Sequence, residues 1–351
     1  MLSNNDLYPT RGLQERLTER KDPILYGLDY LHKRLSASEI LHYEHNGFII
    51  VPDVFSAGEV AFMNRKLAEL KKFNTLEKNR YWRKEVPPGE GESLFAPERT
   101  SELFRNLAQD KRILDRIQHI LGSSVYLHRS RIHIEDGSNE NALPWHSEFE
   151  TWHAEDGVPR MRGAEAWIML SDNTPASGAM RMLAKSHFIY AACEGHHQSN
   201  GSSEQDAYGQ ATHGAARPSV QTLTRLLYFG RLVDAYGAPG TLVICDSNLM
   251  YGSSKNAPGQ KQRATVMLSY NSTENAPIDH PFAGGAFRPE PLVNRNQTPL
   301  VPRSYDFTQP LFGDFDGRGR KIRPERPQPA THQVLPFRRK SPAATTLRHR
   351  A

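Results

Sequence analysis

The stretch Trp145-His146-Ser147-Glu148-Phe149-Glu150-Thr151-Trp152-His153 holds the residue types best suited to chemistry in this chain. A histidine and a carboxylate stand two positions apart, in a run hedged by aromatics. On an extended strand, residues i and i+2 project from one face, so His146 and Glu148 are expected to aim at one point. An imidazole nitrogen and a carboxylate oxygen so placed are two of the three protein ligands of a 2-His-1-carboxylate iron site. A bare His-x-acid triplet is common by chance, as two surface polar residues on a strand, so the surroundings decide its meaning.

From Trp145 to Asn173 the chain reads WHSEFETWHAEDGVPRMRGAEAWIMLSDN. This block closely resembles the ectoine hydroxylases of the phytanoyl-CoA dioxygenase family of Fe(II)/2-oxoglutarate oxygenases. Similar blocks lie at Asp6–Arg11, Glu19–Pro23, Gly47–Pro52, Ser186-His187, Cys245–Asn248, Tyr270–Ser272, Glu274–Ala276 and Arg288–Glu290. The resemblance implies a mainly β fold with helical additions, a double-stranded β-helix (jelly roll). It also implies Fe(II), 2-oxoglutarate as co-substrate, molecular oxygen and a small polar, amino-acid-like or ectoine-like substrate.

The departures from the family pattern are specific. The family's His-x-Asp is here His146-Ser147-Glu148, and its Met-His-Gly-Ser is Met250-Tyr251-Gly252-Ser253. The resemblance therefore puts Tyr251 in the place of the third metal ligand. A phenol keeps its proton up to a pH of about 10 unless a metal draws it off. For the co-substrate, the resemblance points to Arg263, whose planar fork suits a carboxylate, and to Ser253. His133 and Leu143 replace an asparagine and a phenylalanine beside it. The substrate pocket is expected to hold Trp152, with Arg129, Glu165, Trp167 and Met267 altering its walls. Glu165 and Trp167 share a strand face by alternation, as do Arg129, Arg131 and His133. No catalytic residue beyond the metal ligands is expected. A second reading is a catalytically silent relative that binds a small molecule without iron chemistry, its pocket filled by Tyr251 and Trp167.

These residues need a scaffold, and length and pattern describe one. A chain of 351 residues with 38% hydrophobic content fits one large domain, here residues 1–310. Helices are expected at Ser36–His45, Ser56–Lys72 and Ser101–Leu121. Strands are expected at Phe48–Val51, Val125–Ile134, Ala164–Leu170, Ala179–Leu183, Gly240–Cys245 and Ala264–Tyr270. Asn74–Pro97 reads as a loop by the pocket, and the polar, Gly/Ser-rich His196–Pro218 as a lid or insert. His187 reads as structural, in a turn that leaves its strand.

The net charge of +5 is concentrated at one end. Gly317–Ala351 carries ten Lys or Arg against one Glu, a balance of +9, so the remainder is −4. This Pro/Arg-rich segment reads as a disordered tail, and without interleaved aromatics nucleic acid is not an expected partner. No apolar run is long enough to span a membrane, and the first residues show no apolar leader. Cys193 and Cys245, the two cysteines, fit free thiols in a reducing cytoplasm. A homodimer is compatible with all of this.

Overall fold

The computed structural model describes residues 6–27, 34–76, 81–84, 91–135, 143–195, 217–253, 262–290 and 292–308. The expected lid at His196–Pro218, except its last two residues, and the basic tail lie outside the described residues.

Among the described residues twelve strands run in chain order as β1 (Arg16–Glu19), β2 (Phe48–Val51), β3 (Trp82–Lys84), β4 (Glu92–Phe95), β5 (Val125–Glu135), β6 (Gly163–Met169), β7 (Met180–Ala184), β8 (Ile189–Ala192), β9 (Arg231–Asp234), β10 (Leu242–Asp246), β11 (Tyr251–Ser253) and β12 (Arg263–Ser272). The helices are α1 (Ala37–Asn46), α2 (Ala57–Leu76), α3 (Pro97–Thr100), α4 (Glu102–Leu107), α5 (Lys111–Leu121), α6 (Glu148–Asp156) and α7 (Val220–Phe229). The large sheet has the order β2-β10-β6-β12-β5-β4-β3, and the small sheet the order β11-β7-β9. All of their pairings are antiparallel. Side chains from both sheets, among them Trp167, Val243 and Met267 from the large one and Met180, Met182 and Tyr251 from the small one, form one buried cluster between them. Two antiparallel sheets closed over a shared interior make the expected jelly roll.

The large sheet is buried on both faces. Its outer face, Ile132, Ile134, Ala166, Ile168, Ile244, Val266 and Leu268, packs against Val60, Met63 and Leu67 of α2 and Ile113, Leu114 and Ile117 of α5. Burial at i, i+3/i+4 spacing is what places both helices behind the barrel. A capping box at Ser36 and Glu39 starts α1, and Gly47, at φ 82°, ends it.

Three expectations need correction. Ser101–Leu121 is not one helix: α4 stops at Leu107, and Asp110 restarts the chain as an N-cap whose side chain accepts from the Arg112 amide. Asn74–Pro97 is not wholly a loop, because α2 continues to Leu76 and β3 and β4 close the edge of the large sheet. Trp145–His153 is not extended, because it turns into α6 at Glu148.

Candidate active site

His146 reaches the barrel mouth from an isolated antiparallel bridge to Tyr251, in which each backbone amide donates to the other's carbonyl at 3.0 and 2.9 Å. Ser147 is still extended (φ −116°, ψ 144°), and α6 then runs to Gly157, at φ 76°. Glu148 and Glu150 lie in the first turn, where the positive end of the helix dipole favours carboxylates. The imidazole thus comes from a bridge and the carboxylate from the first residue of a helix. Trp152, one turn on, donates Nε1–H to Glu148 Oε2 at 3.2 Å. Gly163 makes room for that indole: a Cβ there would stand 2.6 Å from the Trp152 ring.

The two groups meet the third across the barrel. Tyr251 Oη lies 3.0 Å from His146 Nε2 and donates to Glu148 Oε1 at 2.6 Å, while His146 Nε2 and Glu148 Oε1 are 3.8 Å apart. Donors on one face of a six-coordinate metal, with bonds near ~2.1 Å, stand about 3 Å apart, and these edges bracket that spacing. His146 Nδ1 donates to the Pro144 carbonyl at 2.8 Å, which fixes the ring with Nε2 facing the triangle. Burial raises the Glu148 carboxyl, but Arg129 and then His146 outweigh it and hold Glu148 well below the usual carboxylate range. Burial, then the Glu148 charge, push the Tyr251 phenol well above its ordinary value. The phenol proton goes to Glu148 Oε1, and Nε2 faces Oη across 3.0 Å. A proton on Nε2, or a metal ion, completes the triangle. Among the described residues no three His, Cys, Asp or Glu side chains form such a site, and the third donor has to be the phenol.

The inner face of the large sheet supplies the surroundings, in rows set by register. Arg129, Ser269, Glu165 and Cys245 form one row, and Arg131, Met267, Trp167 and Val243 the next. Arg129 donates to Glu148 Oε2 at 3.1 Å and lies 5.6 Å over the Phe95 ring. Arg131 Nε meets Met267 Sδ at 3.2 Å. Burial, reinforced by the Glu148 charge, lifts Glu165 to about 8, so it is a neutral acid at pH 7. The Trp167 ring sits 4.9 Å from that of Tyr251. Arg129 Nε, Glu165 Oε1 and Trp167 Nε1 are buried without a hydrogen-bond partner in the protein.

Arg263 lies at the far end of the same face. Its Nε and Nη2 donate to Glu135 Oε2 (Nε at 3.1 Å), its Nη2 also to the Gly178 carbonyl at 2.9 Å, and its Nη1 to Asn173 Oδ1 at 3.4 Å. Ser253 Oγ, by contrast, accepts from the Leu143 amide at 2.7 Å, fixing the strand that carries Tyr251. His133 bonds through Nδ1 with Ser93 Oγ at 3.3 Å, and its Nε2 is 3.6 Å from Glu135 Oε1. Of the expected site residues, His146, Glu148, Tyr251, Trp152, Arg129, Glu165 and Trp167 gather at the triangle, with Met267 on the adjoining row. Arg263, His133, Ser253 and Leu143 occupy the remaining stretch of wall.

Two groups were missed. Glu135 was visible by alternation, since it continues the face of Arg129, Arg131 and His133. The buried Asp156–Arg288–His128 cluster behind Trp152 was not. Asp156 Oδ2 is 2.9 Å from His128 Nε2, and Arg288 Nε donates to Asp156 Oδ1 at 2.9 Å. His128 packs 4.7 Å from the Trp152 ring, so the cluster fixes the indole that braces Glu148. Its members lie 28 and 132 residues apart, and only folding brings them together.

Comparison with known proteins identifies the family. The phytanoyl-CoA dioxygenase family profile matches residues 43–264. The ectoine dioxygenase of Streptomyces avermitilis is 33% identical over 302 residues, covering 86% of this chain and all of that protein. The ectoine dioxygenase of Stutzerimonas stutzeri is 32% identical, with 86% and 99% covered. The crystal structure of EctD from S. alaskensis with 2-oxoglutarate and 5-hydroxyectoine superposes with a TM-score of 0.74 at 30% identity, covering 86% of this chain and 98% of that one. The same enzyme with bound Fe gives 0.73. A jelly roll whose mouth carries His146-Ser147-Glu148, matched over this much of its length, belongs to the phytanoyl-CoA dioxygenase family of 2-oxoglutarate-dependent oxygenases.

Proposed function

We propose that this chain is a non-heme Fe(II)/2-oxoglutarate-dependent dioxygenase that oxidises, most simply by hydroxylation, a small polar metabolite of the amino-acid or ectoine type. The observation that carries this reading is the convergence of three donor side chains at one point. His146 Nε2, Glu148 Oε1 and Tyr251 Oη lie 2.6 to 3.8 Å from one another, so the donor set fits a cation of metal size. His146 is held for this by Pro144, Glu148 by Arg129 and Trp152, and Tyr251 by the backbone bridge. Iron, when bound, supplies oxygen activation driven by decarboxylation of 2-oxoglutarate. Arg263 supplies the guanidinium for the far carboxylate of that co-substrate. The Met180, Met182, Met267 and Trp167 side chains keep water from the reacting centre.

The substrate class follows from the polar atoms that the protein leaves unmatched. Arg129 Nε and Trp167 Nε1 are donors, and Oε1 of the neutral Glu165 carboxyl donates or accepts, all three buried around the triangle. A molecule carrying both a carboxylate and a cationic or N–H group satisfies them together, whereas a hydrocarbon does not. Two buried free thiols favour a reducing cytoplasm. The exposed Val220, Tyr228 and Phe229 of α7 favour a homodimer. No described helix is long and apolar enough to cross a membrane.

A second reading has an observation of its own. Tyr251 joins His146 to Glu148 by hydrogen bonds, and its ring packs with Trp167 inside the barrel, as a silent binding protein would have it. Anaerobic titration with Fe(II) in the presence of 2-oxoglutarate decides between them. Stoichiometric iron with the metal-to-2-oxoglutarate charge-transfer band is expected. No bound metal and no band would sink the enzyme reading.

A further inference from the structure

We infer that Glu135 is a built-in occupant of the co-substrate site: its carboxylate holds the guanidinium assigned above to 2-oxoglutarate and so sets how tightly a dicarboxylate binds. The inference rests on the proposed function and adds a residue to it.

Register creates the pair, since Arg263 and Glu135 are Cα partners across β12 and β5. Both side chains are almost fully buried, 2% and 3% exposed, so water does not share the contact. Glu135 offers Arg263 the same chemical group as the far end of 2-oxoglutarate. The remaining nitrogen contacts of Arg263 go to Gly178 and Asn173. An incoming carboxylate therefore has two routes. It joins Glu135 on one buried cation, against like-charge repulsion, or it displaces Glu135. Displacement has a landing place, because His133 Nε2 already lies 3.6 Å from Glu135 Oε1. Burial raises the Glu135 carboxyl, but the His133 hydrogen bond and the Arg263 charge reverse this, so the occupant is anionic at neutral pH. Co-substrate binding is thus an exchange of one ion pair for another, and its affinity falls below that of a vacant fork. A 2-oxo acid without the far carboxylate makes no such exchange.

The test compares wild type, Glu135→Gln and Glu135→Asp in the full chain by calorimetric titration with 2-oxoglutarate and with pyruvate. Titrations are run metal-free and with Fe(II) under anaerobic conditions, alongside melting curves. Glu135→Gln keeps the shape and removes the charge. It should bind 2-oxoglutarate about tenfold or more tightly than wild type, with no gain for pyruvate. It should also melt lower without ligand, since Arg263 is left buried without a counter-charge, and recover more on adding 2-oxoglutarate than wild type does. Glu135→Asp keeps a charge for folding but shortens its reach, and should shift affinity in the same direction by less. Equal 2-oxoglutarate affinity in all three proteins overturns the inference and leaves the proposed function standing. Failure of every protein to bind 2-oxoglutarate, with or without iron, overturns both.

Discussion

The two faces of the large sheet are built from alternate residues of the same strands, and both are buried. On the outer face Ile132, Ile134, Ala166, Ile168, Ile244, Val266 and Leu268 join one apolar cluster with side chains of α2 and α5. On the inner face Arg131, His133, Glu135, Glu165 and Arg263 are buried too. Burial does not separate scaffold from site in this molecule. What separates them is the kind of atom buried: charged groups out of water are costly unless paired, and here they are arranged against one another and around the His146, Glu148 and Tyr251 triangle. The outer face carries stability, and the inner face spends some of it to hold charges where a ligand can meet them.

The sharpest way to break this division is to exchange its consequences. Ile168→Ala, on the outer face, should lower unfolding free energy by about 2–5 kcal/mol in chemical denaturation. Its affinity for iron and 2-oxoglutarate should not change, and a loss of affinity comparable to the loss of stability would merge the two faces. Tyr251→Phe acts from the opposite side. Removing the hydroxyl leaves Glu148 and His146 short of a partner, a cost of about 1–3 kcal/mol. Its larger effect should be loss of Fe(II) binding, while Tyr251→His should retain or strengthen it, as read by metal analysis after anaerobic loading.

A gentler effect separates the faces by pH. Glu165 sits near 8, raised by burial and by Glu148, above an unfolded value near 4.5. The folded protein therefore holds a proton that the unfolded chain releases across this window. Its contribution to stability is complete below about pH 4.5 and is lost as pH rises toward about 8. Glu165→Gln should flatten the slope of melting temperature between those values and melt above wild type at pH 8. An unchanged slope would place the titration elsewhere. The smallest effect expected is that of Ser253→Ala, which removes one hydrogen bond to the Leu143 amide and should cost about 0.5–1.5 kcal/mol.

Much of the scaffold could be read from the chain because its signals are local. Alternation located β5, β6, β10 and β12, and apolar spacing located α2 and α5. The edge strands β3 and β4 escaped because charged residues, which protect sheet edges, read as loop. α6 escaped for a different reason. Phe149, Thr151 and Trp152 favour strands, and the two-residue spacing of His146 and Glu148 suits a strand face. The acids of its first turn and Gly157 at its end were the competing helix signals. At the site, the approach of Tyr251 to His146 and Glu148 followed from the family blocks. The pairing of Glu135 with Arg263 did not, because it depends on how two strands 128 residues apart align.

Because Glu148 opens α6, the triangle is mechanically tied to the opposite end of that helix. The loop after β12 is laced to it there: the Ile278 amide donates to the Gly157 carbonyl at 2.8 Å, the Ala283 amide to the Ala154 carbonyl at 3.0 Å, and Phe282 stacks on His153 at 3.9 Å. Nine helical residues make a strut of about 13 Å. An occupant that draws the carboxylate toward itself loads this strut along its axis and tensions the loop at its far end. Amide exchange at Ala283 is then a remote gauge of what sits beside Glu148.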